Sequence, residues 1–117
     1  MLDSLKAALD TTGYKFAHYG WTKNAEALKG DFGVYAEDGS EDFIANDVHL
    51  ESGLTGFIDY FTRDDSGTPK ETIEAALNAL PQFCWRLNTI QFEETSGYIH
   101  YEWLWGMYGK EIVEEEP

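Results

Sequence analysis

The chain has 117 residues and a formal net charge of −14, with 22 acidic residues against 8 Lys and Arg. That length fits one domain, and that balance argues against phosphate backbones and anionic membrane surfaces, which call for clustered Lys and Arg. A single cysteine, Cys84, excludes an intrachain disulfide framework and Cys-rich zinc sites, and suits a reducing compartment.

The first segment, MLDSLKAALDTTG, carries Asp3 and Asp10 and no basic leader, so it is not expected to be a signal peptide. Leu2, Leu5, Ala8 or Leu9, and Thr12 instead form one apolar stripe at helical spacing, with Gly13 where a C-terminal cap belongs. Tyr14, Phe16 and His18 alternate with Lys15, Ala17 and Tyr19, which predicts a strand. TKNAEALKG (22–30) has no alternation and reads as a loop, with a helical turn open at Ala25–Leu28.

Asp31–Ala36 predicts a short strand, and EDGSED (37–42) a hairpin turn built on Asp38-Gly39. Phe43–Leu50 predicts the next strand, followed by a turn at Ser52-Gly53 and a further strand at Leu54–Thr62, which DDSG (64–67) ends. Thr68-Pro69-Lys70-Glu71 has the form of a capping box with proline at the first helical position. The stripe Ile73, Ala76, Leu77 and Leu80 follows, and Pro81 stops the helix. Two long strands, Phe83–Glu93 and Tyr98–Tyr108, close the fold around a turn at Glu94–Gly97.

Strands joined by short turns favour antiparallel pairing. The expected architecture is one two-layer α+β domain over residues 1–110, in the order α-β-β-β-β-α-β-β. It has a mostly antiparallel sheet with two short helices on one face. Residues 111–117, ending EEEP, predict a flexible acidic tail. No apolar run approaches the ~20 residues that span a bilayer.

The 18 aromatic residues all fall on predicted strands and loops. Within Leu54–Thr62, Leu54, Ile58 and Tyr60 share one face and Phe57 and Phe61 the other. In the last strand Ile99, Tyr101, Trp103 and Trp105 share a face, opposite Tyr98, His100, Glu102 and Leu104. A sheet apolar on both sides calls for cover on both sides. Cross-strand aromatic pairing, an oligomer contact or a ligand cleft would each account for the pattern.

Catalytic chemistry finds little footing. His18, His49 and His100 sit on predicted strands without H-x-H or H-E-x-x-H spacing, so structural or surface roles are expected. Cys84, between Phe83 and Trp85, reads as a buried thiol. EDGSED lacks the twelve-residue order of a calcium loop, and no Gly-rich phosphate cradle is present. Neither catalysis nor a metal nor a cofactor is expected.

The order of segments carries a resemblance. TTGYKFAHYGW, LKGDFGVYAEDGSEDFIAND, GFIDYFTRDDSGTPKETIEAALNAL and IQFEETSGYIHYEWLWGMYG follow one another over nearly the whole chain. In this it resembles the tail terminator, or tail-completion, proteins of long-tailed bacteriophages and prophages. The resemblance implies a compact α+β protomer that assembles into a hexameric ring. It implies a ring that caps the tail tube, stops its polymerisation and presents a surface to a neck or head-completion protein. It further implies a structural protein with no cofactor, assembled in the host bacterial cytoplasm and retained in the virion.

On that reading the contact residues are expected on loops and exposed strand faces. These are Trp21, Lys23, Asn24 and Leu28, then Asp38, Glu41, Asp42 and Phe43 around the hairpin tip, then Trp105 and Tyr108. Trp103 and Trp105 are equally placed to be core, sharing a face with Ile99 and Tyr101. A different class also suits the charge: a small acidic inhibitor that mimics DNA and occupies a host nucleic-acid-processing protein. Ten acids fall between Asp31 and Asp65, with Arg63 the only Lys or Arg there, but they concentrate in turns instead of along one face.

Overall fold

A computed structural model describes residues 2–18, 30–38 and 53–107. Within them lie two helices, α1 (Leu2–Asp10) and α2 (Thr68–Asn78). The five strands are β1 (Phe16–His18), β2 (Phe32–Glu37), β3 (Leu54–Thr62), β4 (Phe83–Phe92) and β5 (Ile99–Met107). The strands form one sheet in the order β1-β2-β3-β5-β4. Every pairing is antiparallel except β1 with β2. The α+β class and the helix–strand order are those the sequence predicts. The expected strand at 43–50 and the tail at 111–117 lie outside the described residues.

Register decides which side chains share a face. Tyr60 stands opposite Tyr101, Ile58 opposite Trp103 and Gly56 opposite Trp105. Beyond β5, Leu87 faces Trp103 and Trp85 faces Trp105. This is the helix-facing side, and its buried cluster joins Tyr35, Ile58, Tyr60, Tyr101, Trp103, Trp105 and Met107 to Leu5 and Leu9 of α1 and Ile73 and Leu77 of α2. The two helices therefore supply short apolar stripes, while the sheet supplies the large rings.

Helix α2 does more than cover those rings. Glu74 and Asn78 are four residues apart, so they lie on one side of the helix. The Trp103 indole N–H donates to Glu74 Oε2 at 2.9 Å, and the Trp85 indole N–H donates to Asn78 Oδ1 at 3.0 Å. Trp105 turns its N–H to the Phe57 carbonyl at 3.1 Å. Trp103 and Trp105 thus bury their rings, and Trp85 part of its own, without leaving a donor unmet.

The start of α2 departs from the expected capping box. The cap residue is Gly67, in the left-handed region at φ 89°, and no side chain caps the helix. Glu71 N–H donates to the Gly67 carbonyl at 3.1 Å, while Thr68 N–H donates to Ser66 Oγ at 3.2 Å. Ser66 N–H in turn donates to Asp64 Oδ1 at 2.9 Å. The DDSG turn completes the helix start from outside, and Thr68 is drawn into the first turn. Glycine suits this position because its φ is open to it without strain.

Candidate interaction surface

The sheet face turned away from the helices carries a ladder of stacked rings. Phe32 stacks on Phe61 with centroids 4.7 Å apart, and Phe61 stacks on His100 at 4.2 Å. Phe32 pairs with Phe61 and Phe61 with His100 in the registers of β2, β3 and β5, so the ladder crosses three strands. Tyr98 closes one end edge-on, with its hydroxyl donating to the Gly30 carbonyl at 2.6 Å. The Arg63 guanidinium lies 4.1 Å from the Tyr98 ring centre, and its Nε–H donates to the Ser96 carbonyl.

At the other end His100 Nε2 lies 3.0 Å from Asp59 Oδ1. Hydrogen bonding to Asp59 raises the His100 pKa above its usual value, against the opposing pull of burial. Glu102 sits across from Asp59 and accepts a hydrogen bond from Asn88 Nδ2 at 2.9 Å. This face therefore changes character along the sheet. β2 is buried on both sides, whereas Phe57, Phe61 and Leu104 are half-exposed and Arg86 and Gln91 are exposed.

The other histidine in view, His18, lies 2.8 Å from Glu37 Oε1 and stacks on Tyr35. Cys84 is half-buried, its thiol directed to the Gly106 carbonyl at 3.6 Å, and burial pushes its pKa up. That is the environment of a packed thiol, not of a nucleophile. His49 lies outside the described residues.

Of the predicted contact residues, Trp21, Lys23, Asn24, Leu28, Glu41, Asp42, Phe43 and Tyr108 lie outside the described residues. Asp38 is exposed just past β2, its N–H donating to the Thr55 carbonyl. Trp105 is 0% exposed, packed against Phe83 and over Gly56, which is the core placement that its face in the last strand also allowed.

The sheet order creates a surface that alternation along the strands does not disclose. Among the described strands β4 is the outermost beside β5, and its far end holds Ile90 at 53% exposure and Phe92 at 63%. Both stand on the helix-facing side, beyond the reach of α2. The available signal was charge. Residues 75–92 contain no Asp or Glu, and Arg86 is their only charged residue.

No protein-family model matches the chain, and neither a curated protein nor a solved structure matches it. Among the described residues no helix is long and apolar enough to cross a membrane.

Proposed function

We propose that this chain is a structural assembly protein of a phage or prophage tail. In this reading it forms a ring, expected to be hexameric, at the end of the tail tube and helps join tail to head. The observation that carries the proposal is the sheet with two apolar faces, of which the helices occupy one. The second face keeps Phe57, Phe61 and Leu104 half-exposed beside a ladder of stacked rings. Half-exposed aromatic and aliphatic side chains rimmed by polar groups are what protein contacts use. The order of segments and the tail-terminator resemblance supply the particular assembly.

Titratable residues among the rings take part in the packing: Asp59 with His100, Glu74 with Lys70 and Trp103, Cys84 with Gly106. A head-to-tail contact repeated around an axis closes a ring, and an acidic ring wall would repel passing DNA.

The test combines light scattering from micromolar to near-millimolar protein with negative-stain imaging, alone and with tail tubes of the phage that encodes it. Rings, free or seated on tube ends, with tube growth halted, are expected. A chain that forms no ring and neither binds nor caps the tubes would overturn the proposal.

A further inference from the structure

We infer that the β4 edge is a two-fold docking surface for a second copy of this chain, pairing antiparallel through Thr89–Phe92. The inference stands apart from the ring reading, because a two-fold contact closes at two subunits whereas a ring needs a head-to-tail one.

The backbone sets the register. Glu93 N–H donates inward to the Tyr98 carbonyl at 2.9 Å, across the β4–β5 hairpin. The pairing from Thr89 to Phe92 is regular, after a bulge between Leu87 and Thr89. Backbone groups alternate sides along a strand, so those of Gln91 also turn toward β5 and those of Ile90 and Phe92 turn outward. Two copies related by a two-fold axis beside Gln91 then place Ile90 against Phe92 of the second copy, and Phe92 against its Ile90. Each such pair exchanges both of its backbone hydrogen bonds. On the helix-facing side the two exposed apolar side chains of one copy meet those of the other.

Charge selects a second copy as the occupant. Two chains of net charge −14 repel over most of their surfaces, but β4 carries no acid. Its one charged residue, Arg86, lies at the opposite end from Glu93 and Glu94, which follow the strand. Antiparallel pairing brings Arg86 of each copy toward Glu94 of the other, so the edge complements itself. Natural edge strands are usually blunted by Lys, Pro or inward charges. Thr89–Phe92 has none of these, and the bulge that would discourage pairing ends just before it.

The test places a cysteine on the axis. Gln91 and its symmetry mate form a non-hydrogen-bonded pair, whose Cα atoms lie about 4.5 Å apart, within disulfide reach. In a Cys84→Ser background, Gln91→Cys should give a disulfide dimer under mild oxidant, at least tenfold faster than Thr95→Cys. Sedimentation of the otherwise native chain should show a monomer–dimer equilibrium that Phe92→Glu weakens at least tenfold. Phe92 is already exposed, and an unchanged circular dichroism melt would confirm that the variant folds. Equal cross-linking of the two cysteines, or a dimer indifferent to Phe92→Glu, would overturn the inference. Rings that survive Phe92→Glu while the dimer is lost would support the two-fold contact and leave the ring proposal standing. Dimers without rings would support it and count against the ring.

Discussion

Gly56→Ala is the sharpest test of how the aromatic last strand is accommodated. Gly56 lies on β3 directly opposite Trp105, and the indole occupies the space a side chain would take. A Cβ there would stand 2.5 Å from Trp105 Cζ2 and 2.8 Å from Cε2, and would collide with the backbone carbonyl of Ala36. One methyl group offers ~0.8 kcal/mol of burial, and replacing glycine restricts the unfolded chain by about 0.4–1 kcal/mol. Against this, overpacking costs ~1–3 kcal/mol and occasionally more. Here the obstacle includes backbone on the neighbouring strand, which cannot swing aside, so the gross cost should rise to about 4–5 kcal/mol and the net loss should reach about 3 kcal/mol. With a urea slope of roughly 2 kcal/mol per M, the unfolding midpoint falls by about 1.5 M. Trp105→Leu relieves the ring overlaps but not the Ala36 collision, so Gly56→Ala should cost about 1 kcal/mol less in a Trp105→Leu background than in the native chain. A Gly56→Ala protein within about 1 kcal/mol of the native chain would refute this account of the Trp105 seat.

Other contacts make comparable claims. Glu74→Leu strands the Trp103 indole N–H in the core and should destabilise by ~1–3 kcal/mol, whereas Glu74→Gln keeps an acceptor and should cost less than half as much, both read by urea unfolding. His100 has a folded pKa raised above the unfolded value near 6.5, chiefly by its hydrogen bond to Asp59. Its stabilisation is therefore complete below that pH and is lost as pH rises through the folded value. Thermal melts from about pH 6 to 9 should fall more steeply for the native chain than for His100→Gln. Arg63→Ala removes both the ring contact to Tyr98 and the donor to Ser96, at ~1–2 kcal/mol. Arg63→Lys keeps the charge but loses the fixed Nε donor, and amide exchange at Gly97 should quicken in both variants.

Much of this fold was legible because the strands obey period two. The limits of β3 and the common face of Tyr101, Trp103 and Trp105 follow from alternation alone. The helix stripes were equally plain at Leu5, Leu9, Ile73 and Leu77. What escaped was set by neighbours distant in sequence. The Asp59–His100 pair joins residues 41 apart and depends on the β3–β5 register. The hairpin of β4 and β5 was evident, but not that β5 would lie inside and β4 outside, which turned Ile90 and Phe92 to the surface. The capping box failed for a local reason: Ser66 reached the Thr68 N–H first, so Gly67 became the cap. Alternation within β5 left Trp105 open to core or contact, and a glycine on the facing strand decided for the core.

The acids themselves separate the assembly readings from the mimic reading. With only 8 Lys and Arg for 22 acids, several carboxylates find neutral or titratable donors: Asp59 the imidazole of His100, Asp31 the hydroxyl of Thr62, and Glu74 the indole of Trp103 on the oxygen that Lys70 leaves open. Others stand exposed at turns, as Asp64, Asp65, Glu93 and Glu94 do, and give each copy a field that resists a second copy. At ~0.01 M salt that field reaches about 30 Å, and at ~0.1 M about 10 Å. Contacts between copies through an acid-free edge or an aromatic face should therefore strengthen over this range, since screening removes repulsion and leaves apolar burial intact. A carboxylate surface imitating DNA does the opposite, losing affinity for a basic partner as salt rises. Sedimentation at the two ionic strengths distinguishes them: self-association that weakens with added salt would sink the assembly readings, and association that strengthens has no explanation in mimicry.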